Sequence, residues 1–275
     1  MQKASANGQL SQMQGLLAGI ERRHLDGETL RGPRLGFIFR ELKRRGCKPT
    51  RDSCGNIWVE KGSGKPLVVF SSHMDVDPRI KKSELKRLKV GKGGVAVGVL
   101  DNAIGCTLNL LLAEAGPKKG RAIYIFTVSE EIRRDNPDLF AKSAREVVKG
   151  MRKRGIKPDL CVTIDVTYPK LLAPHHLTDW EKEHHEIFDM ADSTHCYLDG
   201  YFTRASRRKG AALVKKFGST GVKVRNLPGH DEAAVYKSIA PSFAFGPVVF
   251  GSFDMPGQSM PMKHMRTALM FLKTI

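Results

Sequence analysis

The sequence contains no run of apolar residues near the ~18 that a helix needs to cross a bilayer. Its beginning, MQKASANGQLSQMQGLLAGIERR, holds only the short apolar patch LLAGI inside an amphipathic pattern. That stretch lacks the apolar core and small-residue cleavage site of a secretory signal, so the expectation is a cytoplasmic protein without a membrane partner. Cysteine is scarce: Cys47, Cys54, Cys106, Cys161 and Cys196 are odd in number and form no CxxC pair. This argues against a disulfide framework and against a thiolate zinc site. Cys106 and Cys161 lie in apolar stretches and read as small buried residues. Internal repeats, low-complexity tracts and linkers are also missing, and one domain over residues 1–275 is expected.

Acidic residues are in short supply as well. Lys and Arg total 46 against 28 Asp and Glu, a net charge of +18. Such an excess suits nucleic acid, an anionic surface or an acidic ligand. The cations cluster in KKSELKRLKVGKGG, GPKKGR, KGMRKRGIK and RASRRKG, none interleaved with aromatics as a single-strand platform would be. A generally basic, solvated surface is therefore the favoured reading, and nucleic acid the less favoured partner. The hydrophobic fraction of 41% and charged fraction of 27% are those of a globular domain.

Apolar spacing predicts helices over residues 9–25 and 33–46, the second stopped by Gly46. PLVVFSSHMDV, RAIYIFTVSEE and DLCVTIDV are apolar almost throughout, as strands covered on both faces are. Between them stand DNAIGCTLNLLLAEAG, a helix starting at Asp101 or Asn102, and NPDLFAKSAREVVKGMRKRG, a helix with Asn136 as N-cap and Pro137 first. The stretch from about 171 to 200 reads as irregular. YFTRASRRKGAALVKKFGSTG follows as a helix, VKVRNL as a strand and HDEAAVYKSI as a short helix. SFAFGPVVF is a last strand, and MKHMRTALMFLKTI a closing helix in which His264 reads as solvated. Gly93 and Gly94 read as an ordinary turn. Alternating strands and helices predict an α/β fold with a mostly parallel central sheet flanked by helices.

Three of these strands end in groups able to bind metal: His73 and Asp75, then Glu130 and Glu131, then Asp165. Asp101 stands where a helix begins. In open α/β sheets ligands bind at the carboxyl ends of the strands. Carboxylates gathered there repel one another and raise their pKa values, unless divalent cations compensate them. Imidazole and carboxylate ligands suit zinc, with cobalt or manganese as alternatives. In a two-metal site one carboxylate bridges the ions, and Asp101 is the candidate. Adjacent glutamates at a strand end point opposite ways, so one can bind metal while the other takes a proton.

HMD at 73–75, LDNAIG at 100–105, SEE at 129–131 and IDV at 164–166 resemble the two-zinc aminopeptidase and carboxypeptidase clan of metallopeptidases. DSCGNIWVEKGSGKPLVVFSSHMDV is similar to the strand, turn and HxD strand of that clan. The gaps of 28 residues from His73 to Asp101, 30 to Glu131 and 34 to Asp165 fit its compact catalytic domain. GKGGVAVGVLDNAIGC and IDVT look most like the glutamyl and tetrahedral aminopeptidase branch, without the domain that branch inserts before the bridging Asp. The resemblance implies a three-layer zinc-peptidase-like sandwich holding one or two divalent ions. It implies His73, Asp101, Glu131 and Asp165 as ligands, Asp75 as the residue orienting His73, and Glu130 as general base activating a water. The implied activity is hydrolysis of peptide or amide bonds in a small substrate, as an exopeptidase of aminopeptidase type. A deacylase or dipeptidase, or a degenerate member serving as a binding or scaffold protein, is the alternative. A monomer or small homo-oligomer is expected.

The clan places a further histidine ligand just after the last strand. The corresponding position here falls near Ser252, where GPVVFGSFDMPGQSMPMKH has no histidine. His230, in PGHDEAA, is the candidate surrogate. His175, His176, His184, His185 and His195 lack HExxH spacing and read as solvated.

Overall fold

The computed structural model describes residues 6–27, 29–85, 88–91, 93–131, 140–168, 194–199, 203–225, 231–251 and 256–275. Two amphipathic helices come first, α1 (Ala6–Glu21) and α2 (Pro33–Arg44). Pro33 opens α2 where no N–H is needed, and Gly46 follows its end at φ 72°, a left-handed conformation that glycine adopts without strain. Strands β1 (Thr50–Arg51), β2 (Ile57–Gly62) and β3 (Leu67–His73) lead to the short β4 (Lys89–Val90) and β5 (Val95–Gly98). Then come α3 (Ala103–Ala115), β6 (Arg121–Thr127), α4 (Lys142–Lys153), β7 (Leu160–Ile164) and β8 (Cys196–Asp199). The chain continues through α5 (Arg204–Phe217), β9 (Val222–Arg225), α6 (Ala233–Tyr236) and β10 (Ser242–Pro247). It closes with β11 (Gln258–Pro261) and α7 (Met262–Leu272).

Eight strands form one sheet in the order β1-β2-β6-β3-β7-β10-β8-β9. The four central strands, β6, β3, β7 and β10, run parallel, as predicted for apolar runs linked by helices. Alternate residues of these strands enter separate cores. Val68, Phe70, Tyr124, Phe126, Val162 and Ile164 join the core under α1, α2, α3 and α7. Leu67, Val69, Ile123, Ile125 and Cys161 join the one under α4 and Tyr236 of α6. This period-two division makes the expected three layers, with the sheet in the middle. Among the described residues, no helix is long and apolar enough to cross a membrane.

Several details differ from the sequence expectation. The helix placed at Asn136 begins at Lys142, because Phe140 and Ala141 form a turn with Ala141 at φ 48°; residues 136 and 137 lie outside the described set. Cys196–Asp199, inside the stretch read as irregular, pairs antiparallel with β10. A small antiparallel sheet, β11-β5-β4, is also present; β5 overlaps the strand end read in VGVL before Asp101, while β4 and β11 fall where no strand was predicted. With two and four residues, β4 and β11 are too short for their periodicity to register.

His264 is not solvated. It lies on the i, i+4 line through Ala268 to Leu272 that faces the core, and it is buried. Its Nδ1 lies 3.0 Å from the Val248 carbonyl, and its ring stacks on His195 at 4.8 Å between centroids. Burial pushes its pKa down to about 4 against the pull of the Val248 carbonyl, with His195 and Lys263 lowering it further. A histidine depressed in the fold contributes stability that is complete above its unfolded pKa of about 6.5 and lost as pH falls through 4. The full effect is at most about 3 kcal/mol, less for the part of the ring that solvent screens. Melting temperature is expected to fall from pH 6.5 to 4, and less steeply in His264→Gln. Parallel slopes would refute this.

Candidate metal centre

The sheet order brings the three strand ends together, because β6, β3 and β7 are direct neighbours. His73 closes β3, opposite Thr127 at the end of β6. Glu130 and Glu131 follow three and four residues after Thr127, and Asp165 directly follows β7. Asp101 comes from the start of α3, where Asn102 caps the helix by accepting the Gly105 N–H at 2.8 Å. Asn102 also donates to the Ile164 carbonyl at 2.9 Å, which ties this helix start to the end of β7.

His73 Nε2 lies 3.3 Å from Asp101 Oδ1 and 3.6 Å from Asp165 Oδ2, and His73 Nδ1 lies 3.3 Å from Asp75 Oδ1. One ligand atom from each of His73, Asp101 and Glu131 lies within 4.8 Å of the others, a grouping able to hold a metal ion. His73, Asp75, Asp101 and Glu130 are buried, and Glu131 and Asp165 are half-buried. Asp75 accepts hydrogen bonds from the Glu130 N–H at 3.0 and 3.1 Å and from the Glu131 N–H at 3.0 Å. It therefore ties the HMD segment to the SEE segment.

The electrostatics suit a divalent cation. Five carboxyl groups surround one imidazole. Burial, reinforced by Glu131, Asp165 and Asp75 against the pull of His73, holds the Glu130 carboxyl well above the usual range. Burial and the Asp101 charge do the same to Glu131, and burial raises Asp165 as well. For His73, burial alone would lower the pKa, but Asp165 and Glu130, with hydrogen bonds to Asp101 and Asp165, lift it well above its usual value. Burial opposes ionisation of Asp75 too, yet His73 and the two backbone N–H donors keep its pKa low. A divalent ion placed among these groups would offset the repulsion that raises the carboxyls. Asp101 Oδ1 and His73 Nδ1 are buried and have only their 3.3 Å ionic contacts, short of good hydrogen-bond geometry, which leaves both able to take a further ligand. The donor set fits zinc, cobalt or manganese.

Local sequence patterns gave no sign of four further residues here. Tyr168 donates its hydroxyl to Asp101 Oδ2 at 3.1 Å. Gln258 of β11 accepts the Leu100 and Asp101 N–H groups at 2.6 and 2.9 Å. Arg34, wholly buried, donates Nη1 to the Met74 carbonyl at 2.9 Å, placing a cation behind the HMD turn. Glu232 accepts the Ser71 hydroxyl at 2.6 Å two residues before His73, and burial pushes its carboxyl up to about 7. His230 and Ser252 lie outside the described residues, as do His175, His176, His184 and His185. His195 is half-buried, with Nδ1 2.9 Å from the Thr267 hydroxyl.

A mostly parallel sheet with helices on both faces, whose adjacent strands bring an imidazole and carboxylates to one end, is an α/β fold shared with solved peptidase structures. Solved structures with this fold include a TET aminopeptidase from a marine sediment archaeon of the Thaumarchaeota (TM-score 0.72, 11% identity, 96% of both chains). An aminopeptidase from Desulfurococcus kamchatkensis is similar (TM-score 0.71, 11% identity, 96% of this chain and 94% of that one). So is the TET1 peptidase of Pyrococcus horikoshii (TM-score 0.62, 14% identity, 87% and 93%). These likenesses establish the fold. No protein-family profile matches the sequence, and no curated protein is similar to it.

Proposed function

We propose that the chain is a metal-dependent hydrolase of peptide or amide bonds, an exopeptidase of aminopeptidase type. The observation that carries this is the convergence of His73, Asp101 and Glu131 within 4.8 Å, amid buried and half-buried carboxylates. His73, Asp101, Glu131 and Asp165 would hold the metal, zinc by preference, with Asp101 shared between two ions. When bound, a divalent ion supplies a Lewis acid and a nucleophilic water at neutral pH. Asp75 fixes the ring of His73 through Nδ1. Glu130 accepts the proton of the attacking water and returns it to the leaving amine. Tyr168, donating to one oxygen of Asp101, fixes the rotation of that carboxylate.

Elemental analysis after purification with zinc is expected to give one to two ions per chain, with hydrolysis of aminoacyl substrates that a chelator abolishes. Near-zero metal would instead support the degenerate, ligand-binding reading, which rests on Ser252 standing where the resemblance asks for histidine. Two ions would assign the vacant ligand place to another residue, with His230 first to test. Asp75→Asn should weaken metal binding about 10- to 100-fold, the usual cost of losing a partner that orients a ligand. Chelator competition measures this, and unchanged affinity would remove Asp75 from the role. The P. horikoshii TET1 peptidase assembles into a tetrahedron or a large octahedral shell. For this chain we propose a monomer or small oligomer, which light scattering decides.

A further inference from the structure

The metal centre leaves the charge of +18 unexplained, and burial sharpens the question. Glu21, Asp75, Asp77, Asp101, Glu130, Asp199, Asp231 and Glu232 are all buried, against one buried cation, Arg34, among the described residues. The outer surface is therefore more cationic than the net charge states. Two open grooves concentrate that charge. One, of about 530 Å³, is lined by Lys65, Arg121, Arg154 and Lys157 with a single acidic residue, Glu60. The other, of about 610 Å³, meets it at Arg154 and carries Arg51, Lys149 and Lys153.

The acidic residues lining the grooves are already engaged. Glu60 pairs with Arg121 at 2.7 Å and Glu146 with Lys149 at 2.6 Å. Asp52 accepts from the Cys54 and Asn56 N–H groups and from the Trp58 indole. Lys153 and Lys157 are exposed and have no anionic partner among the described residues. Arg154 lies over the Trp58 ring at 4.2 Å, which holds its guanidinium in the groove. Lys149 and Lys153 stand one helical turn apart on α4, about 6 Å along its axis, and Lys157, beyond its end, lines the adjoining groove. The first groove lies at the start of the strands: Leu67 opens β3 where His73 closes it, roughly 20 Å away at the rise of an extended chain; the second runs from the end of α4 to Trp58, beside Ile125 of β6.

We propose that this face binds nucleic acid through its phosphates, independently of base sequence and of the metal centre. A row of long cations in an open groove suits a regularly charged backbone. Trp58 is buried beneath Arg154 rather than offered for base stacking, which disfavours recognition of unpaired bases. An acidic polypeptide or a lipid surface is the competing occupant.

The test is fluorescence anisotropy with labelled DNA and RNA duplexes of about 20 base pairs, at about 50–200 mM salt. Four to seven phosphate contacts predict a slope of log K against log salt of roughly −4 to −6. The variant Lys149→Gln, Lys153→Gln, Lys157→Gln should lose at least about tenfold in affinity, its slope shallower by about 2–3. A charge-matched variant on α5, Arg208→Gln, Lys215→Gln, Lys216→Gln, should bind as the parent does. Melting temperature and metal content should be unchanged in both. No binding at about 50 mM salt would overturn the proposal. So would equal losses in the two variants, or tighter binding of polyglutamate or anionic vesicles.

Discussion

Replacing Glu130 with glutamine is expected to abolish hydrolysis while leaving metal content and melting temperature close to those of the parent. The substitution preserves volume at a buried position and leaves the Glu130 N–H bonded to Asp75, so the tie between the SEE and HMD segments survives. What it removes is a carboxylate able to take a proton. Without metal, burial and the charges of Glu131, Asp165 and Asp75 hold that carboxyl well above its usual pKa, against the opposing pull of His73. A cation bound among the same neighbours would offset that repulsion and favour the ionised form that acts as base. Loss of a positioned general base typically costs about 10²–10⁴ in rate. Turnover in fully metallated Glu130→Gln within about threefold of the parent would refute the role, being far short of that cost. If the metal is lost together with activity, Glu130 is a ligand and the division of labour with Glu131 is reversed.

Which parts of this centre could be read from the sequence follows from the range of the interactions. His73, Glu130, Glu131 and Asp165 each follow an apolar run long enough to declare a buried strand, and chain connectivity puts parallel strand ends on one side. Asn102 was legible as a cap because capping is a contact between residues three apart. Gln258 bonds a backbone N–H 157 positions away, from a four-residue strand with no pattern of its own, and local reading has no access to such a contact. Nothing in the local pattern separates Arg34 from the other cations of a basic sequence, yet it is sealed against the Met74 carbonyl, 40 residues further on. Tyr168 was closer to detection, three residues beyond Asp165 at the same strand end. His264 was legible in retrospect: helical spacing from Ala268 and Leu272 points it inward, and only its polarity argued otherwise.

The second large effect is expected at a residue with no side chain of its own, Gly246 of β10. Strands β7 and β10 run parallel with Phe245 beside Ile164, and just beyond, the Asp165 N–H donates to the Phe245 carbonyl at 3.1 Å. The Thr167 N–H reaches the Pro247 carbonyl at 3.0 Å, so the backbone of residues 165–167 is fixed on both sides of Gly246. A Cβ at position 246 would overlap the Asp165 carbonyl oxygen, which is backbone and has no rotamer to escape into. Relief requires moving the segment that aims the Asp165 carboxylate at His73. Gly246→Ala is therefore expected to destabilise by about 3 kcal/mol or more, at or above the usual range for overpacking. Any folded fraction should bind metal weakly. Gly150 on α4 is the opposite case: a Cβ there would meet nothing within 4 Å, and the backbone has ordinary helical geometry. Gly150→Ala should raise stability by about 0.5–1 kcal/mol through the lower conformational entropy of the unfolded chain. Denaturant melts of the pair separate the two causes. A tolerated Gly246→Ala would show that the end of β7 can shift, and the aim of Asp165 would then have to come from the metal itself.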